Sequence, residues 1–279
     1  MKKHYMLFTL LFTLLPFLNS YAEKNKALSI SQASTNNVNG YRLQIPETIL
    51  GDRSGGDTDR TGKSFTISAW VKMDRFMNSG SNNKGNVIMG HGAQAHTNYN
   101  GSLILATTET GTLKIISGAS NTVTSTLNTA VALNEWTYLT LVYDNSNFYV
   151  CVYKDGVLVT TKNNTKQLEL FGDDPCIFFL GGFGFSGLCD EFQFFNKALT
   201  AQEVAQAYEN PQNLSSLTVW YDFNEVTPGT TGQFSNKVVD SAQSSTTAKY
   251  TKLGGGQTSS DGGYISQTSF TEYAPTLAE

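Results

Sequence analysis

Carboxylate pairs are the residues of this sequence with the clearest potential for chemistry. Two acids stand side by side at Asp173-Asp174 and again at Asp190-Glu191. Hydrolysis of a glycosidic bond needs two carboxyl groups that reach the same bond. Because neighbouring residues of a strand point to opposite faces, each of these pairs diverges if it lies on a strand. The spacing therefore argues against a glycosidase, which we keep as a minor alternative.

The sequence also gives only weak evidence for a metal site or a catalytic nucleophile. His91 and His96 lie in a stretch rich in Gly and Asn, without an obvious Ser or Cys nucleophile beside them. The acidic stretch 51–60 has neither the spacing of an EF-hand loop nor its closing Glu. A solvated turn is the favoured interpretation of that stretch.

The composition is typical of short strands joined by many turns. Charged residues make up 15% of the chain, aromatic residues make up 12%, and there are 25 glycines. This aromatic content is enough for a substantial core, so disorder is not expected. The formal net charge of −4 offers no basic patch, so we expect no nucleic-acid partner.

The first 22 residues predict a signal peptide. Lys2 and Lys3 precede a short apolar run, and small residues follow at Ser20 and Ala22, where a signal peptidase would cut. The apolar run is too short for a membrane-spanning helix, and no later run is apolar enough. We therefore expect a secreted, periplasmic or cell-surface protein.

Strand signals recur along the chain. Residues 65–71 alternate between apolar and polar, and 136–143 is apolar on both faces, as in a strand buried inside a sandwich. The β-rich runs 148–153 and 157–160 flank Asp155-Gly156. That dipeptide predicts a hairpin, because a type I′ turn needs positive φ at both positions.

The later part of the chain predicts another strand pair and one helix. The runs 176–180 and 188–195 are separated by the Gly-rich stretch 181–187. Thr200 and Glu203 form a capping box, in which each side chain bonds a backbone amide at the start of a helix. Pro211 is expected to end that helix.

A family resemblance rests on several segments together: Ala27–Ile30, Tyr41–Pro46, Phe65–Lys72, Asn134–Asp144, Tyr153–Val157, Leu180–Gly182, Gly187–Phe192 and Asn196–Glu203. In this order and spacing they resemble the bacterial laminin-G-like jelly rolls of the concanavalin A-like lectin/glucanase superfamily. The resemblance implies an all-β fold, a two-sheet antiparallel jelly-roll β-sandwich with one short helix near 200–210. It implies no particular ligand, because this fold hosts lectins, adhesive modules and glycosidases.

The predicted organisation has three parts. A signal peptide (1–22) precedes a sandwich (23–213) and a C-terminal segment (214–279). Residues 217–225 resemble the segment that usually opens such a domain, yet here they follow it. We therefore expect 214–253 to fold back and complete the same sandwich, as in a circular permutation. A truncated second repeat is the alternative.

Asp190 is the candidate metal ligand. On its predicted strand it shares a face with Phe192 and Phe194, so the carboxylate needs a backbone donor, a cation or water. The resemblance implies a Ca²⁺ site that also uses an N-terminal loop, where Asn37 and Asn39 would be the ligands here. A site with one carboxylate would be weak. We favour a structural role for Asp190, with calcium as the alternative and no other cofactor expected.

Glycan binding needs an exposed aromatic ring beside amide or carboxylate groups. Trp70 and Trp136 lie in strand motifs and are expected in the core, as is Trp220 if the C-terminal segment docks. Loop residues are better candidates for ligand contacts: Phe76, Asn98, Tyr99, Asn100, Phe183 and Phe185.

The chain has three cysteines, so at least one thiol stays outside any disulfide within the chain. If the stretch 181–187 is a tight hairpin, Cys176 and Cys189 lie opposite each other at a separation that suits a disulfide. If the two runs belong to different sheets, this pairing fails. Cys151 lies in mid-strand and is predicted to be a buried thiol.

These features together predict a secreted, non-catalytic, lectin-like carbohydrate-binding module. Its expected partner is a glycan or a glycosylated surface, with calcium as a possible aid. A structural or adhesive domain that binds a protein is the alternative, and a glycoside hydrolase of the same superfamily is the third. No nucleic-acid partner and no membrane-spanning segment are expected.

Overall fold

The protein is seen here in a computed structural model that describes residues 26–30, 41–45, 63–77, 85–92, 102–119, 121–163, 177–182, 184–221, 249–252 and 268–272. Within these residues lie fifteen strands, one α-helix and a short 3-10 turn at Pro211–Asn213. The predicted signal peptide lies outside them. No helix in the described part of the chain has the length and apolarity needed to cross a bilayer.

The first sheet contains eight strands, and every pairing in it is antiparallel. Its spatial order is β10-β9-β8-β3-β12-β1-β15, and β13 also pairs with β12. The bounds are β1 (Lys26–Ile30), β3 (Phe65–Met73), β8 (Thr137–Asp144), β9 (Tyr149–Lys154), β10 (Val157–Asn163), β12 (Gly187–Phe195), β13 (Leu217–Tyr221) and β15 (Thr268–Glu272).

The second sheet contains seven antiparallel strands in the order β14-β2-β11-β4-β5-β6-β7. The two sheets confirm the predicted all-β jelly-roll sandwich. The bounds are β2 (Tyr41–Ile45), β4 (Asn86–Gly92), β5 (Ser102–Thr107), β6 (Thr112–Ala119), β7 (Asn121–Ala130), β11 (Ile177–Gly182) and β14 (Lys249–Lys252).

The main core lies between the sheets and follows from strand alternation. On β5, Leu103 and Leu105 point into it, whereas Ile104 and Ala106 belong to a smaller buried cluster on the opposite face. Each fully buried Leu, Ile or Phe of such a core contributes about 1.5–3 kcal/mol. The interior therefore holds the two sheets at a fixed separation.

The helix α1 (Ala201–Glu209) packs on the outer face of the first sheet. The capping box is confirmed, since the amide of Thr200 donates to Glu203 at 2.9 Å and the amide of Glu203 donates to the Thr200 hydroxyl at 3.3 Å. Val204 and Ala207 are buried in a cluster on that outer face. The helix ends before Pro211, as predicted.

The Asp155-Gly156 hairpin is confirmed. Asp155 has a φ of 51° and Gly156 has a φ of 75°, and Val157 pairs with Lys154 across the turn. Strand β9 begins at Tyr149 rather than at the predicted residue 148. Phe148 therefore belongs to the preceding turn.

Of the two alternatives for the runs 176–180 and 188–195, the tight hairpin is wrong and the runs belong to different sheets. Strand β11 lies in the second sheet between β2 and β4, whereas β12 lies in the first sheet beside β3. Both strands have apolar faces, and these meet across the core instead of side by side. The rings of Phe178 and Phe194 are 4.8 Å apart between their centroids. The Gly-rich stretch therefore crosses from one layer to the other.

The C-terminal segment contributes strands to both sheets. Strand β13 pairs with β12, β14 pairs with β2, and β15 pairs with β1. Strands β1 and β13 lie end to end along one side of β12, the first beside Gly187–Cys189 and the second beside Phe192–Phe195. The domain boundaries at residues 22 and 213 stay predictions.

Candidate functional site

A β-bulge interrupts β12 at Asp190 and Glu191. Asp190 pairs with Trp70 of β3, but the next pair joins Gln193 to Ser68, so β12 carries one residue more than its neighbour. Glu191 has a φ of 52°. Its amide donates to Oδ1 of Asp190 at 2.8 Å, which partly offsets this unfavourable backbone conformation.

The bulge corrects the predicted face of Asp190. Phe192 and Phe194 lie in the main core, as does Cys189. Asp190 is fully buried, but it lies opposite Trp70 on the outer face. The side chains of β12 therefore alternate between the two faces of the sheet up to Asp190. After Asp190 the extra residue shifts the following side chains to the other face.

Trp220 joins the C-terminal segment to this bulge. It lies on β13 opposite Gln193, and its indole Nε1 donates to Oε2 of Glu191. Both side chains are partly buried. Val219 and Tyr221 point into the core, so Trp220 lies on the outer face. The predicted core position of Trp220 is therefore wrong. We call this contact between β12 and β13 the bulge latch.

A buried polar network lies beside the latch. The Tyr138 hydroxyl is 2.7 Å from Oε1 of Gln193 and 2.9 Å from the Ser68 hydroxyl. Burial raises the pKa of Tyr138, so this hydroxyl stays protonated. Trp70 is buried between Tyr138 and Tyr208 of α1, which confirms its expected structural role. The network makes this outer face a rigid support.

The calcium prediction is not decided by these residues. Asp190 is buried and accepts a bond from the backbone, as a structural role requires. Asn37 and Asn39 lie outside the described residues. Among the described residues, no group of three His, Cys, Asp or Glu side chains could hold a metal ion. His91 is a core residue against Phe178, with ring centroids 4.7 Å apart.

Of the predicted glycan contacts that the structure describes, Phe185 is buried and Phe76 is partly buried. Phe185 is fully buried in the main core, so its ring is not available to a sugar. Phe76 is partly buried and packs on the core beside Gly111, where a Cβ atom would lie 2.5 Å from the ring. Phe185 therefore serves as a loop anchor, whereas a ligand contact of Phe76 stays a prediction. The other predicted contacts lie outside the described residues: Asn98, Tyr99, Asn100 and Phe183.

Phe76 and Phe185 lie near Asn86, at the start of β4, where the amide of Met77 donates to the Asn86 side chain.

The cysteine prediction loses its geometric basis. Cys189 is a buried free thiol in the main core, and burial raises its pKa. Cys176 lies outside the described residues. Because β11 and β12 lie in different sheets, the hairpin that would place the two cysteines opposite each other does not exist. Cys151 is a buried free thiol, as predicted, with its Sγ 3.4 Å from the Thr161 hydroxyl.

The β8–β9 turn, residues 145–148, exposes an aromatic ring that the sequence analysis missed. Phe148 is 38% exposed and is the one aromatic residue among the exposed large hydrophobic side chains of the described ranges. Its φ is 51°, a conformation that bulky side chains rarely adopt. The ring is thus presented to solvent by a strained backbone. We call this feature the Phe148 turn.

Asp144 holds the Phe148 turn in shape. Its Oδ1 accepts from the amides of Ser146 at 2.7 Å and Asn147 at 3.3 Å, and its Oδ2 accepts from the Asn147 side chain at 2.9 Å. Burial alone would raise the pKa of Asp144, but these bonds and one from Tyr149 lower it overall. The carboxylate is therefore charged at neutral pH.

Polar residues share the turn with the exposed ring or lie on the neighbouring strand. Ser146 and Asn147 are exposed in the same turn. Asn163, also exposed, pairs with Tyr149, the residue after Phe148. Asn145 is held in place because its amide donates to the Ser64 hydroxyl at 3.0 Å and its side chain accepts from Tyr143 at 3.1 Å. An apolar ring with amides and a hydroxyl beside it can bind a sugar by stacking and hydrogen bonding.

A family match agrees with this architecture. A family model of the concanavalin A-like lectin/glucanases superfamily matches residues 53–205, which is more than half of the chain. The chain belongs to this superfamily. The Phe148 turn and the bulge lie inside the matched region, whereas Trp220 lies outside it. No curated protein matches the chain.

The chain is also similar to several solved structures. A proposed carbohydrate binding protein from Bacteroides ovatus ATCC 8483 has 15% identity and a TM-score of 0.56; the match covers 90% of this chain and 60% of that one. A heptameric pentraxin from Limulus polyphemus has 15% identity and a TM-score of 0.47, covering 82% and 94%. Domain 4 of an extracellular arabinanase from Geobacillus stearothermophilus has 20% identity and a TM-score of 0.44, covering 64% and 86%.

Proposed function

We propose that this superfamily member is a secreted, non-catalytic carbohydrate-binding module that contacts its glycan at the Phe148 turn. The observation that carries the proposal is an exposed aromatic ring, fixed by a strained turn and flanked by amide and hydroxyl groups. Strained backbone tends to persist where function needs it. A protein of the same fold, from Bacteroides ovatus, is itself a proposed carbohydrate binding protein.

The non-catalytic part of the proposal rests on the adjacent acids of β12. Asp190 is fully buried and is bonded to its own backbone neighbour, and Glu191 bonds the Trp220 indole. Neither carboxylate is placed to share an exposed bond with the other, as glycosidic hydrolysis requires. We expect no release of reducing sugar from any glycan that the protein binds.

The test is a glycan array probed with the full chain, once in Ca²⁺ and once in EDTA. The wild type should bind a defined class of sugar, and Phe148→Ala should weaken that binding about tenfold, because a central aromatic contact contributes about 1.4 kcal/mol or more. Leu133→Ala is the matched control, since Leu133 is 40% exposed but precedes β8 at its other end.

The outcomes separate the parts of the proposal. Equal binding by wild type and Phe148→Ala would place the glycan elsewhere on the molecule. Loss of binding in EDTA would support a calcium site that includes Asp190, Asn37 and Asn39. A folded protein that binds no glycan in either condition would contradict the carbohydrate-binding role.

The second candidate function is adhesion to a protein. Val157 is 69% exposed and Leu158 is 49% exposed, and both lie on β10, which pairs with β9 alone among the described strands. An edge strand with exposed apolar side chains can accept a strand of a partner. A negative glycan array would shift the preference to this role.

A further inference from the structure

The shape of the Phe148 turn limits how much of a glycan it can contact. One ring stands at the end of a four-residue connection, residues 145–148, between two strands. The described aromatic rings nearby are buried or partly buried: Tyr143 lies in the core, and Tyr149 is partly buried and bonded to Asp144. A polysaccharide chain would need a row of such rings along a groove. A single ring matches the apolar face of one sugar.

The charges around the turn also limit the ligand. The Asp144 carboxylate is ionised and lies within the turn, with bonds to the two residues that precede Phe148. Lys162 is exposed but pairs with Val150, a core residue, so it lies on the other face of the sheet from Asn163. A negatively charged sugar at the ring would therefore meet the charge of the Asp144 carboxylate.

We infer that the Phe148 turn takes a single uncharged sugar residue at the end of a glycan chain. This inference rests on the proposed function and adds the class of ligand. The ring would stack on the C–H face of the sugar, and the amides of Asn147 and Asn163 would bond its hydroxyl groups. Asp144 would shape the turn and exclude acidic sugars, without touching the ligand itself.

The exclusion of acidic sugars by the Asp144 charge is tested with Asp144→Asn. This variant keeps an acceptor oxygen in the turn and removes the negative charge. The probe is an array of neutral glycans beside glycans that end in a sialic or uronic acid. Wild type should prefer the neutral set, and Asp144→Asn should raise relative binding to the acidic set about threefold, the effect of one charge about 6 Å away in water.

Asp155→Asn is the matched control for the charge. Asp155 also accepts a backbone bond in a turn of the first sheet, from the amide of Tyr138 at 2.9 Å, but that turn lies at the other end of β9. The control should leave the neutral-to-acidic preference unchanged. An equal shift in both variants, or wild-type binding to acidic glycans as tight as to neutral ones, would overturn the inference.

The single-residue contact is tested by competition with free sugars. Methyl glycosides of the neutral monosaccharides that end the bound glycans should displace the array ligand as fully as longer oligosaccharides do. Competition by oligosaccharides alone would overturn the inference but leave carbohydrate binding intact. If the folded wild type binds neither neutral nor acidic glycans, the proposed function and the inference both fail.

Discussion

Glu191 and Phe148 are both held in the left-handed backbone region, yet they lie in contrasting places. Glu191 is in the middle of the first sheet, where its carboxylate bonds Trp220 of a neighbouring strand. Phe148 is at the rim of the same sheet, where its ring faces solvent. In each case a preceding Asp, at position 190 or 144, accepts backbone amides and supports the turn of the chain.

Glu191 and Phe148 differ in the contacts that accompany their strained backbone. A left-handed conformation costs an ordinary residue about 1–2 kcal/mol. At Glu191 the resulting contact ties β13 to β12, so the structure itself is stabilised. Phe148 remains 38% exposed, so its ring gains only part of the stabilisation of a core residue, and the Asp144 bonds support the strained turn. We take the first residue as structural and the second as functional.

The largest expected effect comes from breaking the bulge latch. Trp220→Ala removes a partly buried indole and its bond to Glu191, so the free energy of unfolding should fall by about 2–4 kcal/mol. Urea unfolding measures this loss. Trp220→Phe keeps most of the ring and should lose only about 1 kcal/mol.

The Trp220 variants also test whether the bulge latch affects glycan binding. Trp220→Phe should bind glycans as tightly as wild type, because the Phe148 turn lies at the far end of β8 and β9 from the residues near the bulge. A Trp220 variant that remains folded but loses glycan binding would contradict the division between a structural and a functional residue.

Smaller effects, which differ between the two positions, are expected when glycine replaces each strained residue. Glycine adopts positive φ without a steric penalty, although it costs about 0.5–1 kcal/mol in chain entropy. Phe148→Gly removes the partly buried ring together with the strain, so stability should change by less than about 1 kcal/mol, while glycan binding is lost. Glu191→Gly should lower stability by about 1 kcal/mol, because the bond to Trp220 is lost with the strain.

Thermal and urea unfolding of the two glycine variants, measured side by side, check the comparison. Destabilisation by Phe148→Gly as large as that by Glu191→Gly would mean that the Phe148 ring supports the fold. Our functional interpretation of the turn would then lose its basis.

The elements with local causes could be predicted from the sequence. The Asp155-Gly156 hairpin depends on two residues that tolerate positive φ, and α1 depends on the Thr200–Glu203 capping box. Strand β8 follows from an apolar run that is buried along its whole length. None of these elements needs information from a distant part of the chain.

The features that decide the site depend on distant contacts, so local patterns could not reveal them. One extra residue at the bulge reverses the face of every following side chain, and only pairing with Trp70 and Ser68 shows where it lies. The crossing of the chain between β11 and β12 looks locally like a hairpin. Phe148 resembles a strand residue because Phe favours strands, although the run 144–147 (Asp-Asn-Ser-Asn) indicates a turn.

The smallest expected effect is a pH dependence that belongs to the Phe148 turn. Because the folded state lowers the pKa of Asp144, the carboxylate adds stability above its unfolded value, near 3.9, and that stability is lost as the pH falls through the lower folded value. The stability difference between wild type and Asp144→Asn should therefore be larger at pH 7 than at pH 3. Urea unfolding at both pH values measures this stability difference. The other acidic residues are the same in both proteins, so their contributions to the pH dependence cancel. A difference that stays constant with pH would show that Asp144 does not hold the turn through its charge, and the turn would then need another support for its strained ring.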